Sequence, residues 1–160
     1  MPIDTHKLKE HLWEKLENGP FAMVGLRDNT SHCEPLTVQL DKDQADTLWF
    51  FISKDNRLAK GGAALVNFVS KGQDFFASLS GHATIDNNPA MIDKLWSGQV
   101  EAWFTGGKSD PKLALLRIDI SGAELWEADV SLVGQLKMLL GSSIEAGEQG
   151  SHAVVTDTKI

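Results

Sequence analysis

The stretch Thr47-Leu48-Trp49-Phe50-Phe51-Ile52-Ser53-Lys54-Asp55-Asn56-Arg57-Leu58-Ala59-Lys60 holds the residue types best suited to chemistry in this chain. It runs from an aromatic strand through a polar turn to the start of a helix. Such a junction gathers free backbone N–H groups, a hydroxyl and cationic side chains around one point, which is what a phosphate monoester requires. The aromatic strand beside it offers a flat apolar wall for a ring system. An ordinary strand followed by a capped helix fits the same residues, so both readings stay open. Between Lys54 and Lys71, the cations Lys54, Arg57, Lys60 and Lys71 stand against Asp55 alone, a local positive excess in a chain of net charge −7.

Other constellations fall short. Thr105-Gly106-Gly107-Lys108-Ser109 looks like the end of a phosphate-binding loop, but Ala102 stands where that motif needs its first glycine, and Asp110-Pro111 follows where a helix should open. No Gly-x-Gly-x-x-Gly follows a strand, which leaves a Rossmann dinucleotide site unsupported. His6 and His11 are five residues apart, not the three or four that align ligands on a helix, and a lone Cys33 offers no cysteine pair. No metal site is expected. His32 and Cys33, adjacent in a strand, point to opposite faces and do not make a thiol–imidazole pair. Glu124 and Glu127 read as a solvated strand face and Asp129 as a helix N-cap. With no proton-transfer machinery visible, any chemistry here needs a cofactor to bring it.

The elements that must position these residues are mostly strands. Leu8, Leu12, Trp13 and Leu16 recur at helical spacing after Asp4, and Asn18-Gly19-Pro20 stops that helix. Strands are expected over residues 21–26, 33–40, 47–52, 63–69 and 74–85, the last bent or bulged at Gly81. A helix begins at Asn88-Pro89, residues 100–111 read as irregular, and further strands cover 112–120 and 123–126. A last helix starts at Asp129 and closes at Gly141. The expected architecture is α+β and mainly β, with one domain over residues 1–141 and a polar tail over 142–160.

Composition agrees with one folded unit. The 160 residues are 42% hydrophobic and 23% charged, enough for a sizeable core and ordinary for a globular chain. No apolar run is long enough to span a bilayer, and the first residues lack an export signal. One cysteine fits a reducing cytoplasm. The acidic balance argues against nucleic acid and against anionic membrane surfaces as partners.

Several motifs, in order, carry a resemblance. They are Leu48-Trp49-Phe50-Phe51 with Ser53-Lys54-Asp55-Asn56, then Ser70-Lys71-Gly72-Gln73-Asp74 and Phe76-Ala77-Ser78-Leu79-Ser80-Gly81. Leu95-Trp96, Ala102-Trp103-Phe104, Gly106 to Pro111, Leu113 to Arg117 and Leu136 to Gly141 continue the series. Together they resemble the pyridoxamine 5′-phosphate oxidase-like split-barrel family, in its bacterial general stress protein branch. The resemblance implies a six-stranded antiparallel split β-barrel with flanking helices, homodimeric, binding FMN in two equivalent clefts between protomers. FAD or a deazaflavin is a further option for the same cleft. By the same resemblance, Glu34, Pro35, Leu36 and Thr37 lie along the flavin, and Phe51, Ile52, Ser53, Asn56, Arg57 and Lys60 surround ring edge and phosphate. Lys71, Asp74, Trp103 and Lys108 complete the cleft, with the partner chain a potential source. The function implied is a flavin-binding stress-response protein with a flavin oxidoreductase activity, or a non-catalytic binding module that has lost or weakened its flavin.

Two positions depart from that family's pattern. Relatives carry Arg-Pro-Met where this chain has Glu34-Pro35-Leu36, and a threonine where it has Ile52. Losing a hydroxyl bond costs about 1 kcal/mol. Exchanging a cation for an anion about 6 Å from a phosphate, at an effective dielectric of about 20, is worth several kcal/mol. Glu34 is thus the residue on which flavin affinity turns, unless it points away or pairs with Arg57.

Overall fold

The structure is a computed structural model that describes residues 5–27, 31–128 and 150–156. Asp4, the turn residues Asp28 to Thr30 and the helix expected from Asp129 lie outside them. In chain order come helix α1 (Thr5–Asn18) and strands β1 (Phe21–Leu26), β2 (Glu34–Thr37), β3 (Gln39–Leu40) and β4 (Thr47–Ser53). A 3-10 turn, Arg57–Lys60, leads to β5 (Gly62–Val69) and β6 (Phe75–Ile85). Helices α2 (Pro89–Leu95) and α3 (Gly98–Trp103) and a second 3-10 turn, Gly107–Ser109, precede the long strand β7 (Leu113–Ala128). Strand β8 (Gly150–Thr156) follows.

All strands join one sheet in the order β2-β1-β5-β6-β7-β4-β3, and β8 adds to β7. The two ends of that path, β2 and β3, are separated in sequence by Val38 alone, so the sheet closes on itself. The Val38 N–H carries the β1–β2 register one step beyond Phe21↔Thr37, donating to the carbonyl of Pro20 at 2.6 Å. Read as one strand kinked at Val38, β2 and β3 make the six strands of the expected antiparallel barrel, with β8 outside the count.

Period-two alternation fixes what points inward. On β4, Leu48, Phe50 and Ile52 enter the barrel core, where they meet Val24, Val66, Leu79, Leu116 and Ile118. Leu8, Leu12 and Leu16, one turn apart on α1, are buried with the same cluster. Trp49 and Phe51 face outward into a second cluster with Leu95, Leu115, Met91 and Ile92.

The expected strands over 112–120 and 123–126 are one continuous strand. Ser121-Gly122 resembles a turn, yet Gly122 stays paired with Ser80, and the irregularity falls on the other strand, between Ser80 and Gly81. A Cβ at Gly81 would stand 2.2 Å from the Asp119 carbonyl oxygen, so only glycine lets β6 bulge against β7. Residues 100–103, at the start of the stretch expected to be irregular, belong to α3, with the Ser97 hydroxyl accepting from Val100 N–H. Within the expected tail, β8 pairs with the second half of β7, from Gly122↔Thr156 to Ala128↔Gly150. Among the described residues, no helix is long and apolar enough to cross a membrane.

Candidate functional site

A cavity of about 550 Å³ opens on the outer side of the barrel, a volume within the range of small-molecule sites. Pro35, Leu36 and Thr37 of β2, Gln39 of β3 and Phe51 and Ser53 of β4 form one wall. Phe21 closes one rim, and Gln99, Val100, Ala102, Trp103 and Phe104 form the opposite wall. Alternation explains why Phe51 and Ser53 arrive there: their neighbours Phe50 and Ile52 fill the core. Trp96 packs edge-on against Phe51, ring centres 5.7 Å apart at 87°, and stiffens the wall from behind. Lys94 holds the preceding helix in place, donating to Asp41 at 2.7 Å and Asp43 at 2.8 Å. The Lys94 hydrogen bond, opposed by burial, keeps the Asp41 carboxyl below its ordinary pKa.

The lining is apolar with four uncharged polar groups, the hydroxyls of Thr37 and Ser53 and the amides of Gln39 and Gln99. Such a cleft suits a flat heterocycle whose faces are apolar and whose edge carries hydrogen-bonding atoms. Two rim residues stay well exposed, Phe21 at 67% and Trp103 at 83%.

Charge sits beside the cleft rather than in it. Glu34 reaches from β2 to the turn that follows Ser53, where it accepts from Asn56 Nδ2 and, at 2.6 Å, from Arg57 Nε. Its side chain is only 17% exposed. Asn56 works twice, since its Oδ1 caps the 3-10 turn by accepting from Leu58 N–H at 2.7 Å. Gly61 ends that turn with φ 71°, a conformation that favours glycine.

The turn differs from the expected helix start in what it offers a ligand. The N–H of Lys54 goes to Lys112 O, that of Asn56 to Ser53 O, that of Ala59 to Asn56 O and that of Gly61 to Leu58 O. The Asp55 N–H goes to Ser53 Oγ at 3.4 Å. The glycine loop is similarly self-contained: Gly106 N–H donates to Asp110 Oδ2 and Gly107 N–H to Phe104 O. Bonds from the Lys112 and Gly106 N–H groups hold the Asp110 carboxyl below its ordinary pKa.

Of the residues predicted from sequence, Pro35, Leu36, Thr37, Phe51, Ser53 and Trp103 line the cleft together. Glu34, Asn56 and Arg57 form the polar cluster at its end. Ile52 does not reach the cleft, because alternation turns it into the core at 3% exposure. Lys60 is exposed on the turn and absent from the lining. Lys108 is drawn to Asp93 on α2 at 2.9 Å. Lys71 and Asp74 lie in the β5–β6 hairpin, outside the lining of this chain's cleft. There Asp74 accepts from Lys15 Nζ and from the Ser70 hydroxyl, both at 2.6 Å. The Lys15 bond first, then that of Ser70, keep the Asp74 carboxyl below its ordinary pKa. Glu127, expected to be solvated, meets His11 of α1 at 2.5 Å.

Sequence reasoning missed Phe21, Gln39, Gln99, Val100 and Ala102. For α3 a signal was present, since Ser97 stands at N-cap spacing before Val100 and Phe104, which lie one turn apart. Among the described residues, no group of three or more His, Cys, Asp or Glu side chains assembles a metal site.

A closed antiparallel barrel with an apolar cleft on its outer wall defines a class of ligand-binding split barrels. The pattern of the pyridoxamine 5′-phosphate oxidase-like family matches residues 7–149. The chain belongs to that family. It is 43% identical to a general stress FMN/FAD binding protein from the phytopathogen Xanthomonas citri, with a TM-score of 0.75 over 80% of this chain and 94% of that one. A general stress family protein from Xanthomonas campestris pv. campestris is 41% identical, with a TM-score of 0.75 over 82% and 94%. General stress protein 26 of Bacillus subtilis (strain 168) is 38% identical over 55 residues, a match spanning 34% of this chain and 39% of that protein.

Proposed function

We propose that this chain binds a flavin, FMN in the first instance and FAD as an alternative, in the cleft between β2, β4 and α3. The carrying observation is the lining itself, aromatic and aliphatic faces with hydroxyls and amides between them. Phe51, Leu36, Val100 and Trp103 supply apolar surface for the isoalloxazine ring, and Thr37, Gln39, Ser53 and Gln99 supply partners for its polar edge. The likeness to the Xanthomonas citri FMN/FAD binding protein supports the same ligand class. A bound flavin supplies reversible electron transfer; the protein contributes binding, orientation and shelter from water. The exposed Phe21 and Trp103 at the rim support a homodimer in which a second copy covers the opening. The single cysteine supports residence in a reducing compartment such as the cytoplasm.

The test is direct. Protein incubated with FMN and desalted retains a flavin absorbance spectrum and quenches flavin fluorescence. At a ligand concentration 100 times Kd the fold gains about 2.7 kcal/mol, a rise in Tm of roughly 5–10 °C for a chain of this size. Colourless protein whose Tm is unmoved by excess FMN or FAD overturns the reading. Oxidation of NADH or NADPH by the loaded protein assigns an oxidoreductase; retained flavin without turnover assigns a carrier or sensor.

A further inference from the structure

We infer that the cleft recognises the uncharged part of a flavin and takes riboflavin as readily as FMN, because Glu34 neutralises Arg57 in the turn after Ser53. This rests on the flavin reading above. No charged side chain lines the cavity. Arg57 opens the capped turn four residues after Ser53 and is the cation bonded into the polar cluster there. Its Nε is spent on Glu34, and that carboxylate is fixed from its other oxygen by Asn56. A half-buried carboxylate held by two donors cancels the guanidinium's field on an approaching anion and adds its own repulsion.

A phosphate site can also be built from backbone, as at helix N-termini and glycine-rich nests. Here most of that route is already taken. The N–H groups of Lys54, Asp55, Asn56, Leu58, Ala59 and Gly61 already have acceptors within the turn or on Lys112. Those of Gly106 and Gly107 are bonded inside their own loop. Lys108 is tied to Asp93. Lys54, Lys60 and, on the β5–β6 hairpin, Lys71 are exposed and outside the lining, where solvent and salt screen them. What the cleft offers instead are hydroxyls and amides, which bond a ring edge and a polyol arm without needing charge.

Titration of the whole chain with riboflavin and with FMN, by flavin fluorescence quenching at low and at physiological ionic strength, tests this. The expected result is a ratio of dissociation constants below tenfold, with little dependence on salt. Glu34→Gln keeps the side chain's size, frees the guanidinium, and raises the preference for FMN at least tenfold in a salt-sensitive manner. Arg57→Gln leaves the Glu34 carboxylate uncompensated and shifts the ratio at least tenfold toward riboflavin, with riboflavin affinity itself unchanged. Melting curves of both variants confirm that they fold. A wild-type preference for FMN of tenfold or more overturns the inference while leaving the flavin reading intact. So does an unchanged ratio in either Glu34→Gln or Arg57→Gln. If neither flavin binds, the function proposed above falls and this inference falls with it.

Discussion

Two carboxylate–cation pairs of the same length, 2.6 Å, mark the two regions of this barrel. Lys15–Asp74 lies beside the last residue of β7, where Ala128 N–H meets Asp74 O, and Glu34–Arg57 lies at the turn after Ser53, which pairs with the first residue of β7. At the hairpin the pair is embedded in backbone. Ser70 Oγ donates to Asp74 and accepts from the N–H groups of Asp74 and Phe75, so the charge closes the β5–β6 connection and ties α1 to it. At the cleft the pair joins a strand to a loop and borders an uncharged cavity. Identical chemistry therefore serves folding in one place and ligand choice in the other, and the surrounding hydrogen bonds decide which.

The sharpest way to break this contrast is Asp74→Ala. It removes two charge-assisted contacts and strands the Ser70 hydroxyl, at a cost of about 2–3 kcal/mol, or roughly 5–10 °C in Tm. Flavin affinity is expected to hold. Retained stability with lost flavin binding would instead place Asp74 in a cleft, as the family resemblance implies for a partner chain. The same group carries a pH signature. Its folded pKa is depressed below 3.8 by Lys15 and Ser70, so its stabilisation is whole above that value and is lost as pH falls through the lower folded pKa. Asp74→Asn flattens that acid limb in denaturation curves followed from pH 5 to pH 2.

Next in size is Trp103→Ala, which probes the cleft side. The indole is 83% exposed, so its loss should change stability by less than about 0.5 kcal/mol. As one wall of the ring site, it should weaken flavin binding about tenfold, or about 1.4 kcal/mol. The pattern is the mirror image of Asp74→Ala. Equal loss of stability and affinity in either variant would erase the distinction between the regions.

The sequence carried the strands because period-two alternation and turn residues are local signals; β1, β4, β5 and β6 stand within a residue or two of expectation. The cleft was half legible for a related reason. Pro35 to Thr37, Phe51, Ser53 and Trp103 belong to motifs with their own pattern, whereas Phe21 and Gln39 become lining residues only when the barrel closes through Val38. Ile52 shows the limit on a single strand: its motif resembles a flavin wall, but its parity sends it to the core. Glu34 shows the limit between strands. Its charge was readable as a conflict with a phosphate, while its pairing with Arg57 depends on β2 reaching the turn after β4, a contact 23 residues apart.

The smallest effect concerns the layer that supports the cleft wall. Trp49 is 2% exposed among Leu95, Leu115, Phe51, Met91 and Ile92, and its Nε1 has no hydrogen-bond partner among the described residues. A buried N–H left unbonded costs roughly 1–3 kcal/mol. Trp49→Phe removes that donor but also ring volume, and a void in a packed cluster costs a comparable amount. The two terms oppose, so the net change in stability should lie within about 1 kcal/mol of zero, far from the large loss usual for truncating a buried tryptophan. The cleft reports the difference more finely. Phe51 leans on this cluster from the ligand side and Trp96 grips it edge-on, so slack behind Phe51 should raise the flavin dissociation rate while leaving Tm nearly unchanged. A loss of several kcal/mol on denaturation would show instead that Trp49 belongs to the stability-bearing region, with Asp74, and not to the wall of the site.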